Sequence, residues 1–264
     1  MKTSFFSTVT NSYIYPFKIM LYSFVKNNPN YDGDYIIMHD EKLTTANIDS
    51  IKTLYKHLKF YKITNEFSIY NKFIDQRCHR FFDWTQSDYS VFSRFEIFNF
   101  EEYDKIIYLD SDIIVNKSID YLIQECNDSE CYAATQDNPY GFNAGVLVIN
   151  KKTTFTDYKI RCVNMLSSGK SLTGNQPVFI ECFKNTVSYL PAQYNLTVLC
   201  RSAKELLDTN RVNILHFPGK EKPWSDKIKF SDCYMKADGK IRDKFLQIWN
   251  GYADLYQTYI LKQI

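Results

Sequence analysis

The chain has 264 residues, of which 45% are hydrophobic and 17% aromatic, and its 32 basic and 30 acidic side chains give a formal charge of +2. This length suits one α/β domain with appendages, and the near-neutral charge gives no general electrostatic case for binding nucleic acid or an anionic membrane. Seven cysteines without Cys-x-x-Cys spacing favour free thiols in a reducing compartment. We therefore expect a cytoplasmic protein without a signal peptide or transmembrane segment.

The first part of the chain alternates between strand and helix patterns. Strands are predicted over 3–9, 35–39 and 58–63, and a helix over 46–57. Thr10, Asn11 and Ser12 offer turn and N-cap chemistry before a helix that has Pro16 in its first turn. A further helix is expected over 87–100. This alternation predicts a largely parallel sheet.

An apolar run over 105–115 is interrupted by Asp110 and Asp112. Its Ile and Leu content and its length predict a central strand that reaches the edge of a sheet. Residues i and i+2 of an extended segment project to one face, so the two carboxylates can converge on Mn²⁺ or Mg²⁺. Such a cation would neutralise the charge that develops as a nucleoside diphosphate departs. The alternative is a polar turn that closes the strand.

The second half has shorter elements. Strands are predicted over 131–135, 144–149 and 212–217, and helices over 154–166 and 177–184. The last of these strands ends in a loop with His216, Gly219 and Lys222. An imidazole at a strand end can complete a mixed oxygen and nitrogen ligand set, which favours Mn²⁺. Glycine lets the backbone approach a phosphate closely, and lysine supplies positive charge.

Apolar residues from Ile241 recur at helical spacing, at 245, 248, 249, 252, 255, 256, 259 and 260. They predict a C-terminal helix packed on the domain. Docking on a partner or a membrane is the weaker alternative, because the opposite face is not strongly basic. We therefore divide the chain into a main domain, 1–230, and a helical extension, 231–264.

Five motifs occur in a fixed order, at 110–112, 142–146, 174–176, 190–196 and 216–224. In this respect the chain resembles glycosyltransferase family 8, which contains glycogenin and bacterial lipopolysaccharide galactosyl- and glucosyltransferases. The resemblance extends from the first strand to Trp224. It implies a GT-A fold, meaning one Rossmann-like nucleotide-binding domain with a mixed central sheet. It also implies a nucleotide-sugar donor, usually UDP-linked, a Mn²⁺ ion and transfer with retention of anomeric configuration.

The resemblance also implies residue roles. Asp110, Asp112 and His216 match the metal ligands. The positions that match donor contacts are Thr8, Thr10, Asn11, Tyr13, Arg94, Asp110, Ser111, Asn143, Ala144, Gly219 and Lys222. Tyr15 is an alternative to Tyr13 for stacking on the base. For Arg94 the alternative is an ion pair with Glu96 or Asp88, and for Asn143 and Gly145 it is a purely structural turn.

Asp137, Asn175 and Gln176 resemble residues that contact the donor sugar. Many relatives have Asp at the position of Asn175, and the amide excludes a covalent carboxylate intermediate there. Gln176 is also a poor nucleophile. We therefore expect departure and attack on one face of the sugar, with the leaving phosphate accepting the acceptor's proton and the protein supplying alignment and electrostatics.

The leading hypothesis is a Mn²⁺-dependent transferase that moves a hexose from UDP-glucose, UDP-galactose or UDP-N-acetylglucosamine to a glycan or other hydroxyl acceptor. A homodimer is compatible with this hypothesis. One alternative is a self-glucosylating primer of the glycogenin type, although glycogenin modifies a tyrosine shortly after its Tyr-Asn-Leu segment and residues 197–207 of this chain contain no tyrosine. Another is a nucleotide-sugar-binding protein without turnover, which Asn175 motivates. The aromatic segment 64–84 is a candidate acceptor wall or an ordinary packed loop.

Overall fold

The structure, a computed structural model, describes residues 1–73, 91–135, 141–169, 174–198, 200, 202–219, 222–224 and 238–262. Its strands are β1 Thr3–Val9, β2 Tyr35–His39, β3 Leu58–Lys62, β4 Lys105–Leu109, β5 Ile113–Val115, β6 Cys131–Thr135, β7 Phe142–Asn150, β8 Val187–Leu190, β9 Leu196–Thr197 and β10 Ile214–His216. Its α-helices are α1 Ile14–Asn27, α2 Thr45–Lys52, α3 Asp120–Gln124, α4 Phe155–Ser167, α5 Asn175–Phe183, α6 Ala203–Asp208 and α7 Gly239–Leu261.

A seven-stranded mixed sheet forms the centre of the molecule, in the order β3-β2-β1-β4-β7-β6-β8. Strands β1 to β4 pair in parallel, and β7 runs antiparallel to both β4 and β6. The expected α/β class and mixed central sheet are therefore confirmed. The carboxyl ends of β1 and β4 lie side by side, so the loops that follow them form one edge of the sheet.

A second sheet is small and has the order β5-β10-β9. Strand β10 pairs antiparallel with β5 and parallel with β9. The prediction of one continuous strand over 105–115 is therefore wrong, because β4 and β5 belong to different sheets. The chain leaves the central sheet at Asp110 and enters the small sheet at Ile113, so the two carboxylates lie in the connection between the sheets.

Two apolar cores cover opposite faces of the central sheet, as alternate residues of β1 show. Phe5 and Val9 belong to the core formed with α1, the small sheet and α7, and Phe6 belongs to the core formed with α4 and α5. On α7 the deeply buried residues are Phe245, Trp249, Tyr252 and Tyr256. The C-terminal helix thus packs on the domain, although Leu255, predicted to lie on its apolar stripe, is exposed.

Three local predictions need correction. Residues 91–99 form a 3-10 helix, Val91–Asn99, where an α-helix was expected over 87–100. Helix α1 follows a 3-10 turn, Asn11–Tyr13, and Tyr13 occupies the N-cap position without a side-chain cap. Helix α2 ends at Lys52 rather than at residue 57, since the chain turns there before β3. Among the described residues, no helix combines the length and apolarity needed to cross a bilayer.

Candidate active site

The connection between the two sheets holds both predicted carboxylates in place through its backbone. The Asp110 N–H donates to the Gly145 carbonyl at 2.8 Å, and the Phe217 N–H donates to the Asp112 carbonyl at 3.0 Å. Asp110 is thereby fixed to the start of β7, and Asp112 to the end of β10. Each carboxylate is anchored to a different sheet.

His216 ends β10 and brings its buried ring between these carboxylates. Its Nε2 lies 3.3 Å from Asp112 Oδ1 and 3.7 Å from Asp110 Oδ2. One ligand atom from each of the three residues lies within 4.8 Å of the others. The predicted convergence of Asp110, Asp112 and His216 is therefore observed, although a turn between sheets achieves it rather than an extended strand.

Two cations hold the other oxygen of each carboxylate. Arg94 donates to Asp110 Oδ1 at 2.5 Å, and its guanidinium lies 4.2 Å from the centre of the Tyr108 ring. Lys222 donates to Asp112 Oδ2 at 2.5 Å and to the Phe217 carbonyl at 2.6 Å. The alternative ion pair of Arg94 with Glu96 is not formed, since Glu96 accepts from Thr64, and Asp88 lies outside the described residues.

Charge, more than burial, sets the ionisation of the pair between Asp112 and Lys222. Burial alone would raise the pKa of Asp112, but the Lys222 ammonium and the His216 ring outweigh burial and hold that pKa well below its usual value. Burial would lower the pKa of Lys222, but the Asp112 carboxylate raises it. Both groups are therefore charged at neutral pH.

The three converging groups fit a small divalent cation. Two ligand atoms on one cation lie at most about 4.2 Å apart when each bond is about 2.1 Å long. The two separations from His216 Nε2 fall within that limit. Carboxylate oxygens with one imidazole nitrogen suit Mn²⁺ or Mg²⁺. Because Arg94 and Lys222 bind the outer oxygens, Asp110 Oδ2 and Asp112 Oδ1 remain directed at the imidazole.

The first residues of β7 connect this cluster to α5 and to the 3-10 helix over 91–99. The Ala144 N–H donates to Gln176 Oε1 at 3.0 Å, and the Ala144 carbonyl accepts from Arg94 at 2.9 Å. A Cβ on Gly145 would lie 2.3 Å from His216 Cε1, so the ring fits only against glycine. Residues 143–145 therefore belong to strand β7, and not to the structural turn that was the alternative for Asn143 and Gly145, and they shape this cluster.

The sequence profile described as Glycosyl transferase family 8 matches residues 5–228. The chain belongs to glycosyltransferase family 8. Among curated relatives, glycosyltransferase GlyD of Streptococcus pneumoniae serotype 4 is 30% identical over 166 residues, 55% of this chain and 20% of that protein. GlyB of the same organism is 28% identical over 233 residues, 74% of this chain and 56% of that protein. The matches therefore span from a fifth to just over half of these two relatives.

Solved structures show the same fold. The galactosyltransferase LgtC superposes with a TM-score of 0.66 at 16% identity, covering 95% of each chain. GlyE of Streptococcus pneumoniae superposes with a TM-score of 0.68 at 18% identity, covering all of this chain and 64% of that one. The predicted GT-A fold of this family 8 chain is thereby confirmed.

The remaining predicted donor contacts fall into two groups. Ser111 donates to the Thr8 carbonyl at 2.6 Å, and the Tyr13 ring lies 5.8 Å from the Lys222 ammonium, so these residues adjoin the carboxylate cluster. Asn11 instead donates to the Lys42 carbonyl, in the loop before α2, and accepts from the Asn47 side chain in the first turn of that helix. The Thr10 hydroxyl lies 3.0 Å from that of Ser12.

Other predicted residues make fewer contacts. Gly219 is exposed with a φ of 96°, and a Cβ there would have nothing within 4 Å, so backbone conformation rather than crowding favours glycine. Asn175 donates to the Val91 carbonyl at 2.8 Å. Asp137 and most of the candidate acceptor wall at 64–84 lie outside the described residues.

One residue of the site received no role from the sequence. Asn195 is 1% exposed, and its side chain touches both His216 and Asn143. It lies in the motif at 190–196, to which the resemblance gives no residue role. Only the folded structure shows that β9 begins beside the candidate ligand His216.

Proposed function

We propose that this chain is a retaining glycosyltransferase that moves a hexose from a UDP-sugar to a hydroxyl group of a glycan or other acceptor. The convergence of Asp110 Oδ2, Asp112 Oδ1 and His216 Nε2 carries the proposal. We infer that these atoms hold Mn²⁺ or Mg²⁺. When bound, the ion would offset the negative charge that develops on the departing diphosphate.

Basic and aromatic side chains beside the cluster support a nucleoside diphosphate as the ligand. Lys222 is 6% exposed and already adjoins Asp112, so its charge is available to a phosphate without a large movement. The Tyr13 ring lies beside the same ammonium and is the proposed contact for the base. Tyr15 instead lines a cavity of 510 Å³ with Trp224 and Trp249.

Amide groups at positions 175 and 176, rather than a nucleophilic carboxylate, are proposed to face the anomeric carbon of the transferred sugar. Gln176 accepts the Ala144 N–H through Oε1, which occupies the oxygen that would have to attack the sugar. In the proposed reaction the bond between the anomeric carbon and the phosphate oxygen breaks, and the acceptor oxygen bonds to the same face. The departing phosphate takes the acceptor's proton. Asn143, Asn175 and Gln176, with Asp137, are proposed to align the sugar.

A donor screen tests this function. UDP-glucose, UDP-galactose and UDP-N-acetylglucosamine are incubated with Mn²⁺, and released UDP is measured. We expect release from at least one donor and a loss of at least ~100-fold in Asp112→Asn, which removes a charged ligand. Asp243→Asn on α7, where the Asp243 side chain is 73% exposed, is the matched control and should retain wild-type release. Equal release by Asp112→Asn and wild type would refute the site.

A binding protein without turnover is the second candidate, and Asn175 favours it. It would gain support if all three donors bound with Mn²⁺ present and none released UDP. Transfer to a separate acceptor, rather than to the chain itself, follows from the lack of tyrosine at 197–207. A glycosylated tyrosine in the intact mass after incubation with UDP-glucose and Mn²⁺ would contradict that proposal.

A cytoplasmic location and a homodimer stay predictions. The location still depends on the cysteine pattern, and the described Cys126, Cys131, Cys162, Cys182 and Cys200 are free thiols. The protein isolated from its natural source can be denatured without a reducing agent and treated with a thiol reagent. Labelling of all seven cysteines would agree with a reducing compartment.

A further inference from the structure

A chain of side-chain amides behind His216 fixes where the imidazole carries its proton. The Gly145 backbone N–H can only donate, and it donates to Asn143 Oδ1 at 2.8 Å. That same oxygen lies 3.0 Å from the Asn195 amide, which therefore must present its nitrogen, Nδ2. The opposite orientation of Asn195 would place two acceptor oxygens against each other.

With its nitrogen committed to Asn143, Asn195 turns its oxygen to the histidine. Asn195 Oδ1 lies 2.9 Å from His216 Nδ1, so this ring nitrogen must be the donor. The other nitrogen, Nε2, then faces Asp110 and Asp112 at 3.7 Å and 3.3 Å.

We propose that Asn195 is a positioning residue, whose side-chain carbonyl holds the proton on His216 Nδ1 and so directs the Nε2 lone pair to a cation between Asp110 and Asp112. The inference rests on the proposed function in so far as these residues hold a cation. It goes further by assigning a role to Asn195. Partners that fix the tautomer of a metal-binding histidine commonly strengthen metal affinity.

The same network has a consequence for Asn143. Its Oδ1 already accepts from Gly145 and Asn195, which leaves Nδ2 as the group that can meet a ligand. Asn143 would therefore present a donor to an oxygen of the transferred sugar. Asn195 joins this contact to the metal ligand through one buried amide.

The tautomer can be measured directly on the native protein. In ¹⁵N-histidine-labelled protein, the signal lost in His216→Gln identifies His216 among the four histidines. With the ring neutral, without metal or with Mg²⁺, we expect the proton on Nδ1 and none on Nε2. A proton on Nε2 with a bare Nδ1 would overturn the inference, whether or not the protein proves to be a transferase.

Mn²⁺ affinity, read from the electron paramagnetic resonance of unbound Mn²⁺, tests the positioning role. Asn195→Ala should weaken binding about 10- to 100-fold. Asn195→Asp keeps an acceptor for the Nδ1 proton and should bind Mn²⁺ at least as tightly as wild type, while turnover falls because the bond to Asn143 is lost. If Asn195→Asp bound Mn²⁺ as weakly as Asn195→Ala, the acceptor role would be wrong.

Asn28→Ala is the matched control, because Asn28 is 5% exposed and bonds Phe24 and Ile119 away from the site. It should lower stability and leave Mn²⁺ affinity unchanged. Equal Mn²⁺ affinity in Asn195→Ala and wild type would refute the inference alone. Absence of Mn²⁺ binding by wild type would instead refute the proposed function, and the tautomer measurement would then decide the inference.

Discussion

The two sheets of this molecule differ in size and in what they contribute. The central sheet has seven strands with an apolar core on each face, whereas the small sheet has three strands of two or three residues. The central sheet positions Asp110 and Asn143, and the small sheet positions Asp112 and His216. The candidate metal ligands thus come from both sheets, so the site exists only while the sheets keep their relative position.

Helix α7 packs against the residue that follows the last strand of the small sheet. Phe217 directly follows the ligand His216, and its ring lies 5.5 Å from that of Trp249 and 5.7 Å from that of Phe245. The C-terminal helix therefore packs behind the end of β10, the strand that carries the candidate ligand His216. This arrangement predicts that a destabilising substitution in the core formed with α7 weakens metal binding. An equally destabilising substitution in the core on the other face of the central sheet should lower stability alone.

The largest expected effect follows from Trp249→Ala. Removing this side chain, which is 2% exposed, should lower the free energy of unfolding by about 3–5 kcal/mol and weaken Mn²⁺ binding per folded molecule. Phe155→Ala, at a fully buried position in the other core, should lower the free energy of unfolding by a similar amount and leave Mn²⁺ affinity unchanged. Urea unfolding and Mn²⁺ titration measure the two quantities. Equal Mn²⁺ affinities in the two variants would contradict the division between the sheets.

A smaller effect is expected from Gly145→Ala, in β7 beside the connection between the two sheets. Its methyl group would displace the His216 ring. We therefore expect the free energy of unfolding to fall by about 1–3 kcal/mol and Mn²⁺ binding to weaken at least ~10-fold. Gly251→Ala in α7 is the control, since a Cβ there meets nothing within 4 Å. It should raise stability by up to about 1 kcal/mol. A Gly145→Ala protein with normal Mn²⁺ affinity would show that the ring has room to move.

The smallest effect concerns Glu101, on the side of the central sheet away from the ligands. It accepts from the Thr156 N–H at 2.7 Å in the first turn of α4 and lies 2.9 Å from Lys151. Burial would raise the pKa of Glu101, but Lys151 and these hydrogen bonds lower it to about 2.

Because this pKa is lower in the folded state than the unfolded value of about 4.3, Glu101 stabilises the fold above pH ~4.3. This contribution should disappear as the pH falls from there to about 2. At pH 7 the advantage of wild type over Glu101→Gln should be below ~1 kcal/mol, because the side chain is 39% exposed. Thermal unfolding of wild type and Glu101→Gln at pH 7 and pH 3 measures this difference in stability. A larger difference at pH 3 than at pH 7 would contradict the lowered pKa of Glu101.

Most of the central sheet was predictable because six of its seven strands have five residues or more, as the apolar runs of β1 and β4 show, whereas β8 has four residues and was not predicted. Of the small sheet, β10 lies within the strand predicted over 212–217, but the sheet itself was not predictable, since strands of two or three residues carry no periodicity and β5 pairs with β10 about a hundred residues later. The same long-range pairing explains why 105–115 was predicted as one strand.

The candidate ligands were predictable from chemistry and motif order, and the structure brings Asp110, Asp112 and His216 together. The pairing of Arg94 with Asp110 and of Lys222 with Asp112 depends on side-chain directions that sequence spacing does not give. The contact of Asn195 with His216 depends on β9 lying beside β10.

Diffraction from crystals grown with Mn²⁺ and UDP tests the central proposal most directly, through the anomalous signal of manganese. We predict one strong peak bonded to Asp110 Oδ2, Asp112 Oδ1 and His216 Nε2, with the UDP diphosphate against it. A manganese peak elsewhere, or ordered UDP with no manganese between these three residues, would contradict the proposed active site.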